Sequence, residues 1–81
     1  MNYDEAKAKL IEVIRNRLVD AGKDIPPLED DTVLLDGSLS LDSLEIAVVV
    51  ITMGEITHSD PFASGFIGFQ TIGELARLYA N

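Results

Sequence analysis

Residues 41–55 read LDSLEIAVVVITMGE, and this stretch decides how the rest of the chain is interpreted. It contains six β-branched residues, each about 0.5 kcal/mol less favourable in a helix than Ala, or roughly 3 kcal/mol together. Intrinsic preference therefore favours a buried strand. Against this, Asp42 and Glu45 form an acidic variant of the capping box, and no second strand-like run lies nearby to pair with. We predict a helix over residues 42–55.

The segments at the two ends of the chain carry clearer helical patterns. Over residues 4–21, apolar residues recur at steps of three and four, and Gly22 is placed to end the helix. Near the end of the chain, Thr71 and Glu74 form a capping box ahead of an apolar face. The residues expected to be buried are Ala6, Leu10, Val13, Ile14 and Leu18 in the first helix, and Ile72, Leu75, Ala76, Leu78 and Tyr79 in the last.

The two connections differ in length and content. Residues 23–41 hold no period but contain seven large aliphatic residues, too many for a free linker, so this loop should pack against the helices. Residues 56–70 contain Pro61, Gly65 and Gly68 between aromatic residues. This pattern suggests a short helical turn that carries Phe62, Phe66 and Phe69 into the core. The predicted order is long helix, long loop, helix, short turn, helix.

Composition narrows the class of protein. The length of 81 residues predicts one domain over residues 1–81. A domain of this size has little room for both a core and a deep substrate cavity, so we do not expect an enzyme. It has no cysteine, its N-terminal residues are acidic and it lacks an apolar run long enough to cross a bilayer. These features predict a cytoplasmic protein with no membrane span.

Charge is distributed unevenly along the chain. The net charge is −8, and residues 24–81 hold one basic residue, Arg77, against ten acidic residues. Such a surface repels nucleic acid and anionic lipid, and it favours partners that present Lys and Arg. The same net charge favours a monomer.

Two segments carry a resemblance to a known family. The Leu41-Asp42-Ser43-Leu44 stretch, after a loop that contains residues 31–34 and Asp36-Gly37, resembles the Asp-Ser-Leu attachment motif of acyl carrier proteins. Residues 69–75, which read FQTIGEL, resemble the Thr-Val-Gly-Asp stretch that opens the last helix of that family. Together with the helix order, the likeness covers most of the chain. It implies an all-α, four-helix acyl-carrier-like bundle, with three main helices, a short third helix and a long loop between the first two.

The resemblance also implies a cofactor and partners. Ser43 would receive 4′-phosphopantetheine from coenzyme A, within the attachment motif formed with Asp42 and Leu44. A separate phosphopantetheinyl transferase would perform the transfer, and Mg²⁺ would serve that enzyme, so no metal site is expected here. The arm would carry an acyl group as a thioester for loading, synthase or transferase enzymes of fatty-acid, polyketide or specialised lipid synthesis.

Two other interpretations of Ser43 stay open. One is a carrier of aminoacyl or peptidyl groups, although the attachment motif of such carriers has a Gly-Gly-His-Ser-like context that this chain lacks. The other is an unmodified acidic helical protein that acts through protein contacts, in which Ser43 is merely the first residue of a capped helix.

The second helix is apolar on two sides, and only one of these sides can face the core. On a helical wheel, one stripe holds Ile46, Val49, Val50 and Met53, and the opposite stripe holds Leu44, Ala47, Val48 and Ile51. In acyl carrier proteins the outer face of this helix contacts partners and is rich in Glu, whereas here only Glu45 and Glu55 are acidic. We expect the second stripe to be a partly hydrophobic docking patch of a specialised carrier; the alternative is that the loop of residues 23–41 covers part of it.

The remaining candidate residues give weaker signals. His58 lies in a polar turn and has no partners for a catalytic triad. Glu29, Asp30, Asp31 and Asp36 could attract a cation loosely, but they lack the spacing of an EF-hand loop. Phe62, Phe66 and Phe69 are expected in the core; the alternative is that they line a cleft for an acyl chain.

Overall fold

A computed structural model describes residues 1–35, 39, 41–63, 65 and 67–80, and within these residues the chain folds into three α-helices: α1 (Tyr3–Asp20), α2 (Ser43–Thr57) and α3 (Ile72–Tyr79). The all-α prediction is confirmed, but the predicted count of four helices is wrong.

The predicted short third helix is replaced by turns in the part of residues 58–70 that the structure describes. The amide of Ala63 donates to the Asp60 carbonyl at 3.2 Å, and the amide of Gly65 donates to the Phe62 carbonyl at 3.0 Å. Pro61 has no amide hydrogen to extend this pattern, and Gly65 has a φ of 134°, outside the helical region. Phe66, predicted as an aromatic plug, lies outside the described residues.

Both ends of α1 are stabilised by local hydrogen bonds. Asn2 caps the helix, since its side chain accepts from the Glu5 amide at 2.8 Å while Glu5 accepts from the Asn2 amide at 3.2 Å. At the other end Gly22 adopts a φ of 69°, and the amide of Lys23 reaches the Leu18 carbonyl at 2.9 Å. This is a Schellman ending, and it confirms Gly22 as the residue that stops α1.

The helix α2 forms despite its β-branched sequence because one of its faces is buried. Val49 and Met53 are fully buried and Ile46 is 4% exposed. Burial of each such side chain stabilises by about 1.5–3 kcal/mol. Their sum exceeds the roughly 3 kcal/mol that the β-branched residues cost. Tertiary packing therefore decides the conformation of this segment.

The long loop runs beside the start of α3. The amide of Leu34 donates to the Gln70 carbonyl at 2.8 Å, and the amide of Ile72 donates to the Thr32 carbonyl at 3.0 Å. The side chains of Leu34, Leu39 and Leu41 are buried in the core. The loop is therefore packed, as predicted, although Ile25 and Leu35 are 40% and 51% exposed.

The helix α3 begins and packs as its sequence predicts. Thr71 Oγ1 accepts from the Glu74 amide at 3.1 Å, and Glu74 Oε1 accepts from the Thr71 amide at 3.2 Å, which completes the capping box. The predicted apolar face is buried, apart from Leu78, which is half-buried. All five residues predicted to be buried in α1 are also buried. Within the described ranges, none of the helices is both long and apolar enough to cross a bilayer.

Candidate attachment site and apolar cleft

Ser43 is the first residue of α2 and is exposed. The cap of α2 comes from its neighbour Asp42, whose Oδ1 accepts from the Glu45 amide at 2.8 Å and whose carbonyl accepts from the Ile46 amide at 3.0 Å. The first amides of a helix have no acceptor within the helix and carry a partial positive charge. The Ser43 hydroxyl is thus placed at an anion-favouring helix end, and the cap does not depend on it.

The first turn of α2 also carries an ion pair with the loop. Lys23 Nζ lies 3.1 Å from Glu45 Oε1, and the Glu45 side chain is only 17% exposed. The negative charge of Glu45, which was predicted to face partners, is therefore partly screened by a cation from the long loop. No local sequence pattern predicts this pairing, because Lys23 and Glu45 are brought together only by the fold of the long loop.

An apolar cavity of about 500 Å³ opens beside Ser43. The residues of α2 that line this cavity lie on one face of the helix, and Ser43 is near the middle of that face. The lining residues are Leu35, Ser43, Ile46, Ala47, Val50, Ile51, Phe62, Gly65 and Phe69. Among these described residues only Ser43 has a polar side chain. The cavity lies within the range of volumes typical of small-molecule sites.

Two aromatic residues of the 56–70 connection, Phe62 and Phe69, contribute both to the core and to the wall of the cavity. Phe62 and Phe69 are half-buried and pack against the core, and their ring centroids lie 6.1 Å apart at an angle of 58°. Both rings also line the cavity. Leu35 and Val50, which the sequence did not single out as site residues, complete two of its walls. Val50 belongs to the predicted core stripe but is only half-buried.

The second apolar stripe of α2 is largely exposed. Leu44 is 72% exposed and Ile51 is 63% exposed; Ala47 is exposed as well, and Val48 is half-buried. Glu55 is exposed at the other end of the helix. The outer face of α2 therefore combines an apolar centre with acidic groups near its ends. Ala47 and Ile51 belong both to this face and to the cavity wall.

Asp30, one residue of the acidic cluster in the long loop, is engaged in contacts with α1. Lys7 Nζ and the Tyr3 hydroxyl donate to the two carboxylate oxygens of Asp30, each at 2.8 Å. These two hydrogen bonds hold the pKa of Asp30 below its ordinary value of 3.8. No group of three potential metal ligands occurs among the described residues, and Asp36 lies outside them. His58 is exposed and ends α2.

Fold and site together define a small all-α protein in which an exposed serine lies at the start of α2, a helix with one buried face, next to the apolar cavity. No model of a protein family matches the chain, and neither a curated protein nor a solved structure is significantly similar to it. Any functional assignment therefore depends on the residues and geometry described above.

Proposed function

We propose that this protein is an acyl carrier protein that holds an acyl group on a 4′-phosphopantetheine arm attached to Ser43. The observation that carries the proposal is the position of Ser43, exposed at the first turn of α2 and at the edge of an apolar cavity. The resemblance of the Leu41-Asp42-Ser43-Leu44 stretch to the family's attachment motif supports the same residue.

The surroundings of Ser43 suit a phosphodiester. In the transfer, the Ser43 oxygen would form an ester bond to the coenzyme A phosphorus that bears the pantetheine arm, and the bond from this phosphorus to the bridging oxygen of the pyrophosphate would break. The Ser43 proton would pass to a base on the transferase, and adenosine 3′,5′-bisphosphate would be the leaving group. The product is an anion beside the first amides of α2, where the helix dipole favours negative charge. The pairing of Lys23 with Glu45 reduces the repulsion that this anion would meet from the first turn.

The cavity supports a carrier of apolar groups. An aliphatic chain held at Ser43 can fold back into the space lined by Ile46, Phe62 and Phe69, and each buried methylene contributes about 0.8 kcal/mol. Outside the cavity, an acyl chain on the arm would be exposed to water. An exposed serine beside an apolar cavity therefore supports the proposal of a carrier that shelters its acyl group.

The outer face of α2 is the proposed docking surface. Leu44, Ala47 and Ile51 supply exposed apolar area, with a smaller contribution from Val48, and Glu55 with the partly screened Glu45 supplies negative charge. This arrangement fits partner enzymes whose binding surface has an apolar centre and Lys or Arg at its rim. Because the apolar part is central, binding should depend on salt less than a purely ionic contact would.

Mass spectrometry after incubation with coenzyme A, Mg²⁺ and a phosphopantetheinyl transferase of broad specificity tests the proposal. The wild-type chain should gain the mass of one phosphopantetheine group, and Ser43→Ala should gain none. Ser59→Ala, which changes a serine in the turn after α2, is the matched control and should be modified like wild type. No gain on wild type would favour the unmodified interaction protein, and an equal gain on Ser43→Ala would show that Ser43 is not the attachment site; either result overturns the proposal.

The same experiment can be extended to the alternative of an aminoacyl or peptidyl carrier. Loading enzymes for acyl and for aminoacyl groups can be compared on the modified chain. The nearly uniform apolar lining of the cavity favours the acyl group, because Ser43 has the only polar side chain among the described lining residues and an ammonium or amide group deeper in the cavity would be buried away from it.

A further inference from the structure

A second cavity lies further along the same face of α2. It has a volume of about 250 Å³ and is lined in part by Val50, Ile51, Gly54 and Tyr79. Val50 and Ile51 also line the first cavity. Because residues three and four apart share a helix face, Ser43, Val50 and Gly54 follow one another along a single line of α2. With a rise of 1.5 Å per residue, Val50 lies about 10 Å from Ser43 along the helix axis and Gly54 about 16 Å.

We infer that Val50 divides one continuous apolar groove into these two cavities and thereby sets the length of the straight aliphatic chain that the protein can shelter. Val50 and Ile51 both line the two cavities, but Ile51 is 63% exposed and so forms the outer rim of the groove, whereas Val50 is half-buried and lies deeper in it. The identity of the chain rests on the proposed carrier function; the division of the groove does not.

The position of Val50 is fixed by a contact from α3. The Tyr79 hydroxyl donates a hydrogen bond to the Val50 carbonyl at 3.1 Å, and the Tyr79 side chain is 2% exposed. Burial, with a smaller contribution from the charge of Asp60, raises the pKa of Tyr79 to about 12, so the hydroxyl remains a donor at neutral pH. Tyr79 is therefore a positioning residue that ties the dividing turn of α2 to the last helix.

The second cavity differs from the first in its far wall. Ser59 and Asp60 line it together with Gly54, and a Cβ added at Gly54 would lie 3.2 Å from the Ser59 carbonyl oxygen. This end is narrow and bears a carboxylate. A plain methyl end of a chain can approach it, whereas a chain ending in a second carboxylate would be repelled. The groove thus suits unbranched, uncharged chain ends.

Titration with straight-chain primary alcohols, from butanol to decanol, tests the inference on the unmodified chain. Binding can be followed by the amide NMR signals of Val50, Ile51 and Tyr79. In wild type, affinity should rise about fourfold for each added methylene until the first cavity is filled, and should then level off. Val50→Ala should move this limit to longer alcohols by at least one two-carbon step, and Val50→Leu should move it to shorter ones.

Val19→Ala is the matched control, because it makes the same substitution at an exposed site on α1 and should leave the limit unchanged. Equal limits in wild type and Val50→Ala, or an equal shift in Val19→Ala, would overturn the inference. If Val50→Ala does not fold by circular dichroism, Val50→Leu decides: an unchanged limit overturns the inference and a shorter one supports it. The titration needs no group on Ser43. A negative result would therefore overturn the role of Val50 without bearing on the carrier function, which the mass gain tests separately.

Discussion

The backbone of Gly73 lies against the backbone of Asp30, with its amide donating to the Asp30 carbonyl at 2.9 Å. A Cβ at this position would lie 2.9 Å from that same oxygen and 3.0 Å from the Tyr3 hydroxyl oxygen. The first turn of α3, the long loop and the start of α1 therefore meet at a point where only a residue without a side chain fits.

Gly73→Ala should consequently destabilise the fold, although Ala is the better helix former. We expect a loss of about 1–3 kcal/mol in the free energy of unfolding, the usual cost of overpacking, measured by urea denaturation. Gly68→Ala is the control, since a Cβ there meets nothing within 4 Å. Equal stability of Gly73→Ala and wild type would show that the loop can move away without cost.

Replacement of His58 by Gly should stabilise the protein. His58 ends α2 with φ 54° and ψ 37°, a left-handed conformation that is strained for any residue with a side chain. Glycine adopts it without this strain, and we expect a gain of about 0.5–1 kcal/mol in the free energy of unfolding. Gly22→Ala, at a φ of 69°, is the reverse experiment and should be destabilising. A loss of stability in His58→Gly would contradict the strain argument.

Loss of the cap on α2 should weaken the helix that presents Ser43. Asp42→Ala removes the acceptor of the Glu45 amide and should cost about 1 kcal/mol of stability. Asp42→Asn retains a capping oxygen and should behave nearly like wild type. Thermal unfolding followed by circular dichroism measures both variants. Indistinguishable midpoints for Asp42→Ala and wild type would mean that tertiary packing alone fixes the start of α2.

Acid should weaken the contact between α1 and the long loop through Asp30. Because its pKa is lowered in the folded state, the unfolded chain binds a proton more readily. The stabilising contribution is therefore complete above the ordinary pKa of 3.8 and is lost as the pH falls through the lowered value. Asp30→Asn should have a smaller acid-induced decrease in urea midpoint than wild type. Parallel curves for Asp30→Asn and wild type would contradict this assignment.

Leu44→Glu should distinguish apolar from ionic docking on α2. Leu44 is 72% exposed, so the substitution leaves the core intact, unlike a change at half-buried Val48. If the apolar centre binds partners, kcat/KM for modification by the transferase should fall about tenfold, as for loss of 1.4 kcal/mol of binding. If docking is ionic, the added negative charge should instead raise kcat/KM for this modification. Val19→Glu, on an exposed site of α1, is the control.

The sequence predicted those parts of the fold that depend on local pattern. The buried face of α1 and the capping box of α3 follow from residues three and four apart, and both are confirmed. The turns around Pro61 were mistaken for a helix because a short apolar run has too few residues to show a period. The full lining of the cavity could not be predicted, since it joins Leu35 and Phe69 with residues of α2 that are distant from them in sequence. The assignment of Ser43 as an attachment site stays a prediction.

The β-branched composition of α2 has a consequence for when the site exists. Isolated from Leu10, Ile14 and the rest of the core, residues 43–57 would favour an extended conformation, and Ser43 would not stand at a helix start. In the proposed function, a transferase that recognises this helix would then ignore nascent or misfolded chains. The arm would therefore be attached only to chains that have completed folding.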